Sequence, residues 1–241
     1  MVELVDTLAL GASAARHEGS SPSLPTFFSM DTSSLINSII DRVKHTLAKD
    51  TSGHDWWHVY RVWQLAKRIG QAEGADMFVV ELTALLHDIA DAKFHNGDDT
   101  IGPRVAREML SEQGVEEKVI AQVCDIIGTM SFHRGLAMTT LEGKVVQDAD
   151  RLDAIGAVGI SRVFAYGGHK DRPIHLPNTE GVNREGQGNY TSDTSIHHFY
   201  EKLLLLKDRM NTEIAKKMAS SRHDYMEKFL QQFYSEWEGE V

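Results

Sequence analysis

The segment that most constrains the fold is residues 77–89, where apolar side chains continue around the whole surface of a helix. The apolar residues are Met77, Val79, Val80, Leu82, Ala84, Leu85, Leu86 and Ile89. Because a helix that is apolar nearly all round is a buried one, we predict a helix in the protein interior. The polar pair His87-Asp88 ends this run, and a carboxylate in such surroundings is costly unless it is paired, protonated or coordinated.

The rest of the chain after Met30 also has the apolar spacing of helices. Asp31, Ser33 and Ser34 offer N-cap oxygens for a first helix that reaches Leu47. Further helices are predicted at 54–73, from Asp98-Asp99 to Gly114, at 115–127, at 145–164 and at 195–237, the last with a break near Ser220-Ser221. Strand signals are nearly absent. The prediction is an all-α fold, a single helical domain with a long polar loop, residues 166–192, before the C-terminal helices.

Residues 1–29 differ in character from residues 30–241, which we expect to form the one folded domain. The first segment is rich in Gly, Ala, Ser and Pro, and it carries acidic residues where a secretory or transit peptide would be basic. Its Gly-Ser-Ser-Pro stretch, residues 19–22, can be encoded by a sequence resembling the T-arm of a transfer RNA gene. Two interpretations stay open: a reading frame opened too early, with Met30 as the start, or a disordered tail.

Charge and cysteine content limit the class of protein. The formal net charge of −10 argues against general binding to nucleic acid backbones. A single cysteine, Cys124, excludes an intramolecular disulfide and fits a reducing compartment. No apolar run approaches the roughly 20 residues that cross a bilayer. We therefore expect a cytoplasmic protein that binds neither membrane nor nucleic acid.

Histidines and acidic residues on three predicted helices form a candidate divalent-metal site. The first helix contributes His58, the second the pair His87-Asp88, and the third Asp150. Imidazole and carboxylate groups together suit a divalent transition metal, and the carboxylates favour the harder ions. The acidic residues around position 150 have a second interpretation, a buried salt-bridge network with Arg151 and Arg162. The sequence alone leaves both interpretations open.

Three short motifs resemble those of the HD-domain metal-dependent phosphohydrolases. They are HDWWH at 54–58, LLHDIADAK at 85–93 and QDADRLDAIG at 147–156. The similarity is greatest to small stand-alone bacterial HD proteins that hydrolyse nucleotides, and it extends from about residue 34 to the C-terminus. The resemblance implies that His58, His87, Asp88 and Asp150 bind one divalent metal. It favours Mn, with Mg, Co, Ni, Fe or Zn as alternatives, and implies no organic cofactor.

The resemblance also implies roles for residues near the metal. Asp91 matches an acidic residue that activates or orients the attacking water, which makes it the predicted catalytic residue. Lys93, His54 and Arg151 are the predicted substrate-binding residues. His133 lies where some relatives bind a second metal, but the chain lacks a complete second ligand set.

The expected substrate is a small phosphorylated molecule, a nucleoside phosphate or deoxynucleoside triphosphate, and a homodimer is possible. Alternatives on the same fold are a phosphodiesterase, an alarmone hydrolase and a non-enzymatic, metal-stabilised nucleotide-binding module. The chain has no room for a synthetase domain and no GYP motif. The presence of Asp91 and Lys93 argues against a purely structural metal site.

Overall fold

The computed structural model describes residues 31–48, 55–90, 98, 100–130, 137–176 and 194–241. Within these ranges the regular structure is helical and contains no strand, which confirms the predicted all-α fold. The helices are α1 (Thr32–Leu47), α2 (Trp56–Glu73), α3 (Met77–Leu86), α4 (Ile101–Glu112), α5 (Glu117–Met130), α6 (Leu141–Asp153), α7 (Gly156–His169), α8 (Ser195–His198) and α9 (Glu213–Trp237). A π-helical turn, Phe199–Leu203, and a 3-10 helix, Leu204–Arg209, continue α8.

The ends of the first helices follow from local side-chain chemistry. The Asp31 and Asp55 carboxylates accept hydrogen bonds from backbone N–H groups in the first turns of α1 and α2. Gly74 ends α2 with a φ of 73°, a left-handed conformation that glycine adopts at little cost. Asp76 caps α3 in the same way as Asp55 caps α2. These are the boundaries that the sequence predicted to within a few residues.

Three boundaries in the second half differ from prediction. The helix expected over 145–164 is two helices, because Gly156 has a φ of 79° and breaks the chain between α6 and α7. The polar loop expected from residue 166 begins later, since α7 continues to His169. The C-terminal break lies at Met210–Thr212, where Thr212 caps α9, and α9 runs unbroken through Ser220-Ser221.

Two apolar cores share α2 and α3. One core joins α1, α4 and α5 to the faces of α2 and α3 that carry Val59 and Leu85. The other joins α6, α8 and α9 to the faces that carry Val62 and Ala84. The ends of α2 and α3 nearest His58 and His87 therefore lie between two packed layers, which fixes their positions.

Several predictions fall outside the described residues. They concern residues 1–29 and most of the polar loop, so the predicted division into 1–29 and 30–241 stays a prediction. Among the described helices, none combines the length and apolar character that a membrane span requires.

Candidate metal centre

Three separate helix ends bring the predicted metal ligands together. His58 lies in the first turn of α2 and is 1% exposed. His87 is the C-cap residue, directly after the last residue of α3, and Asp88 follows it. Asp150 lies in the last turn of α6. Successive residues inside a helix diverge by about 100°, but His87 and Asp88 leave the helix together and can therefore face one point.

The ligand atoms cluster around Nε2 of His58. This atom is 3.1 Å from Oδ2 of Asp88, 3.3 Å from Nε2 of His87 and 3.6 Å from Oδ1 of Asp150. Nε2 of His87 is in turn 3.5 Å from Oδ2 of Asp88. The donor atoms of His58, His87 and Asp88 all lie within 4.8 Å of one another. Asp150 approaches this group through its contact with His58. The sequence indicated these residues as ligands, and their binding of a metal stays a prediction.

The donor set fits a divalent metal ion. Neighbouring ligands of an ion at bond lengths of about 2.0–2.2 Å lie roughly 3 Å apart, close to the separations among His58, His87 and Asp88. Nδ1 of His87 is 2.8 Å from the Ala84 carbonyl oxygen. That nitrogen must carry a hydrogen to donate to a carbonyl, which leaves Nε2 of the neutral ring with a lone pair that faces the cluster.

A buried carboxylate holds the far side of the His58 ring. Oδ2 of Asp153 is 2.8 Å from Nδ1 of His58, and Asp153 is 2% exposed. Arg61 donates from Nε to Oδ1 at 2.7 Å and from Nη2 to Oδ2 at 3.1 Å. Arg162 donates from Nη1 to Oδ2 at 2.6 Å. A carboxylate that accepts from the second nitrogen of a metal-binding histidine fixes the orientation of the ring.

The charges around His58 favour a proton on its ring when no metal is bound. Burial alone would lower the pKa of His58, but hydrogen bonds to Asp153 and Asp88 and the charges of Asp88 and Asp150 raise it to about 9. Burial alone would raise the pKa of Asp153, but the hydrogen bonds from His58 and Arg61 and the charge of Arg162 hold it far below its ordinary value. A metal ion and a proton would thus compete for Nε2 of His58.

Asp148 and Arg151, the other charged residues considered in this segment, have different hydrogen-bond partners. Asp148 is fully buried and accepts hydrogen bonds from Asn211 and Thr212, at the start of α9. Arg151 donates to the carbonyl oxygen of Arg209 and lies within electrostatic range of Asp148 and Asp150. The buried salt bridge considered for this segment therefore exists at Asp153 with Arg162, whereas the described contact of Arg151 is with a backbone carbonyl.

The remaining predicted site residues, His54, Asp91, Lys93 and His133, lie outside the described residues. Their roles stay predictions.

The positions of Asp153 and Arg61 beside His58 were not predicted, although the sequence contains a signal for both. Residues three apart on a helix are neighbours on its surface. Asp153 stands three after Asp150, and Arg61 three after His58, so each belongs to the face of a predicted ligand. Asp148 stands two before Asp150 and faces another way.

Comparison with known proteins identifies the family of the chain. Residues 56–155 match the model of the HD domain. The Bacillus subtilis protein YpgQ is 45% identical over 197 residues, which cover 79% of this chain and 87% of YpgQ. The crystal structure of an HD-superfamily hydrolase from Bacillus thuringiensis superposes with a TM-score of 0.72 at 44% identity, covering 87% of this chain and 100% of that chain. The crystal structure of Bacillus subtilis YpgQ in complex with ADP superposes with a TM-score of 0.68 at 37% identity, covering 85% and 98% respectively.

The matched segment contains the four residues that meet at Nε2 of His58 as well as Asp153. The similarity to YpgQ covers most of both chains and confirms the predicted likeness to small stand-alone bacterial proteins. The chain has the fold of the HD-superfamily hydrolases. It belongs to the HD domain family.

Proposed function

We propose that the protein is a metal-dependent phosphohydrolase whose substrate is a nucleotide. One divalent ion, with Mn favoured, is held by His58, His87, Asp88 and Asp150. The observation that carries the proposal is the clustering of His58, His87 and Asp88, whose donor atoms lie within 4.8 Å of one another, with Oδ1 of Asp150 3.6 Å from Nε2 of His58. The mixed imidazole and carboxylate donors suit Mn, and Mg, Co, Ni, Fe and Zn are alternatives.

Exposure differs between the two sides of this cluster. The side chain of His58 is 2% exposed and that of His87 3%, whereas that of Asp88 is 19% and that of Asp150 43% exposed. Water and substrate would therefore enter from the carboxylate side. A bound divalent metal would lower the pKa of a coordinated water and polarise a phosphoryl oxygen. The two histidines anchor the ligand set from the protein interior.

Other residues of the chain supply the remaining chemistry in this proposal. Asp91 accepts or orients the proton of the attacking water, as a positioned carboxylate does in general base catalysis. Lys93 and His54 contact the phosphate, and Lys93 stabilises the charge that develops on its oxygens. Arg151 stays a proposed substrate residue, although its described contact is with the Arg209 carbonyl oxygen. The reaction cleaves a phosphate ester or a phosphoanhydride.

The nucleotide class is proposed from a relative. Bacillus subtilis YpgQ, which shares most of its length with this chain, has been crystallised in complex with ADP. The phosphates of such a ligand and the carboxylates of the cluster are all negatively charged. The ligand can therefore bind there only if nearby cations balance this charge. The substrate is therefore proposed to be a nucleoside phosphate or a deoxynucleoside triphosphate.

The test is release of phosphate and pyrophosphate from a panel of nucleoside mono-, di- and triphosphates, with Mn present or chelated. The proteins are the wild type, Asp88→Asn and the control Asp41→Asn, which changes an exposed aspartate on α1. We expect Mn-dependent release by the wild type and the control, and a loss of at least about 1000-fold in Asp88→Asn, since one metal ligand is removed.

The products identify the bond that is cut. Inorganic phosphate indicates a phosphatase, and pyrophosphate indicates a triphosphate pyrophosphohydrolase. If the folded, Mn-loaded wild type released neither product from any nucleotide, the proposal would be wrong. Hydrolysis of cyclic dinucleotides or guanosine alarmones instead would support the alternative diesterase or alarmone-hydrolase activity.

A further inference from the structure

Two arginines from different helices converge on Asp153 beside the metal cluster. Arg61 comes from α2 and Arg162 from α7. Their side chains are 32% and 30% exposed, whereas the carboxylate between them is 2% exposed. Two partly exposed guanidinium groups therefore lie at the protein surface, bound to the same buried carboxylate.

The hydrogen bonds fix the direction in which Arg61 points. Its Nε and Nη2 atoms form a bidentate fork with the two oxygens of Asp153. A guanidinium group is planar and has five N–H donors, so a fork along one edge turns the opposite edge away from Asp153. The planar arrangement of these donors matches the oxygens of a phosphate group. Because the fork already orders the side chain, binding an anion there costs little further entropy.

Arg162 lies one imidazole ring away from the other proposed metal ligands, and Arg61 shares the Asp153 carboxylate with it. Nη1 of Arg162 is 3.2 Å from Nδ1 of His58, and Nε2 on the opposite side of that ring faces Asp88 and His87. The next phosphate of a diphosphate with one phosphoryl group at the metal would reach these arginines past the edge of the His58 ring. The arginines also supply positive charge beside the carboxylates of Asp88 and Asp150, in a protein of net charge −10.

We infer that Arg61 and Arg162 form a binding site for a phosphate group of the substrate that is not attacked. The site selects nucleoside di- and triphosphates over monophosphates. The inference rests on the proposed function for the identity of the ligand as a nucleotide, and it adds two substrate-binding residues to Lys93, His54 and Arg151.

The test is calorimetric titration of the Mn-loaded protein with three probes. They are the non-hydrolysable α,β-methylene analogue of ADP, AMP and adenosine. The variants are Arg61→Gln, Arg162→Gln and the control Arg68→Gln, an exposed arginine further along α2. A fourth variant, Arg61→Lys, keeps a cation next to Asp153 and preserves the fold if the neutral substitution disturbs it. Mn affinity is measured separately for every variant, without nucleotide.

We expect each glutamine variant to lose about 10- to 100-fold in affinity for the diphosphate, the loss expected when a charge-assisted hydrogen bond to phosphate is removed. Affinity for AMP and for Mn should change by less than about threefold, and Arg61→Lys should fall between wild type and Arg61→Gln because it cannot form the fork. Arg68→Gln should match the wild type.

Two results would overturn the inference. One is an equal loss for the diphosphate and AMP, and the other is a diphosphate loss accounted for by weaker Mn binding. Either would mean that the arginines act only by holding Asp153 and His58. Discrimination between di- and monophosphate without any nucleotide hydrolysis would leave this anion site standing while the proposed hydrolase activity failed.

Discussion

Asp148 and Asp153 lie on the same helix, and both are buried, yet their surroundings are opposite in kind. The donors to Asp148 are neutral: the backbone N–H groups of Asn211 and Thr212, the Asn211 amide and the Thr212 hydroxyl. Those to Asp153 come from His58, Arg61 and Arg162, all charged or able to be charged. Neutral donors do not titrate near neutral pH, so Asp148 holds the start of α9 in place irrespective of the metal. Asp153 is coupled through its hydrogen bond with His58 to the protonation of that ring and, in the proposed site, to the metal.

The largest expected effect is on stability, from removing the Asp148 carboxylate. Asp148→Ala removes the acceptor of the backbone N–H groups of Asn211 and Thr212 and of the Thr212 hydroxyl, whereas the Asn211 amide keeps its hydrogen bond to Oε1 of Gln147. We expect the free energy of unfolding to fall by about 4 kcal/mol, as is typical when a buried polar network is broken. Urea denaturation measures the loss.

Mn affinity is a second measurement on Asp148→Ala, because it separates the role of Asp148 from that of the metal cluster. In the fraction that stays folded, Mn affinity should equal that of the wild type, because none of the described contacts of Asp148 is to a metal ligand. Asp224→Ala, an exposed substitution on α9, is the control and should change stability by less than about 0.5 kcal/mol. A stability loss below about 1 kcal/mol in Asp148→Ala would contradict the assignment of Asp148 to the framework.

The second prediction concerns the pH dependence of stability without metal. The folded state raises the pKa of His58 from 6.5 to about 9, so the protonated ring stabilises the fold. This contribution is fully present below pH 6.5 and disappears as the pH rises through about 9. We expect the metal-free protein to lose up to about 3 kcal/mol of unfolding free energy across this window. Chemical denaturation at several pH values in a chelator measures it.

Bound Mn should abolish this fall of the unfolding free energy with rising pH. A bound ion requires the unprotonated imidazole, so Mn affinity should rise over the same pH window and one proton should leave as the ion binds near neutral pH. Titrations in buffers of different ionisation enthalpy count that proton. Asp153→Asn should flatten the slope of the metal-free protein, whereas a slope unchanged by this substitution would show that Asp153 is not the group that keeps His58 protonated.

The third prediction is a loss of metal affinity when Asp153 becomes neutral. Asp153→Asn keeps the shape of the side chain but removes the charge that polarises the His58 ring and binds Arg61. We expect Mn affinity to fall about 10- to 100-fold, the usual cost of losing such a partner of a ligand. Equilibrium titration followed by electron paramagnetic resonance measures free Mn. Asp148→Asn is the matched control, and an equal loss there would remove the distinction between the two acids.

The sequence was sufficient for the all-α fold and for most of the first helix ends, for an identifiable reason, whereas the metal ligands that it indicated stay a prediction. Apolar period and caps determine helices locally, so Asp31, Gly74 and the apolar run before His87 marked their helix ends. The sequence did not determine which of the three aspartates of α6 pairs with Arg162 and which with Asn211, because these partners come from other segments whose packing does not follow from local spacing. The break at Gly156 was missed because a single glycine inside an apolar pattern does not always end a helix.

The smallest expected effect tests the turn that joins the Asp153 end of α6 to α7. Gly156 has a φ of 79°, and a Cβ there would lie 3.0 Å from Cγ and 3.1 Å from Cβ of Arg222. Gly156→Ala should therefore cost about 1–2 kcal/mol from backbone strain plus the close contact. Gly74→Ala is the control for strain alone, since its φ is 73° and a Cβ there meets nothing within 4 Å. We expect only Gly156→Ala to weaken Mn binding, and by less than Asp153→Asn does, because the turn follows directly on the end of α6 that carries Asp150 and Asp153. Equal stability losses in the two alanine variants, with unchanged Mn affinity in both, would show that this turn only directs the backbone from α6 to α7 and does not affect the metal site.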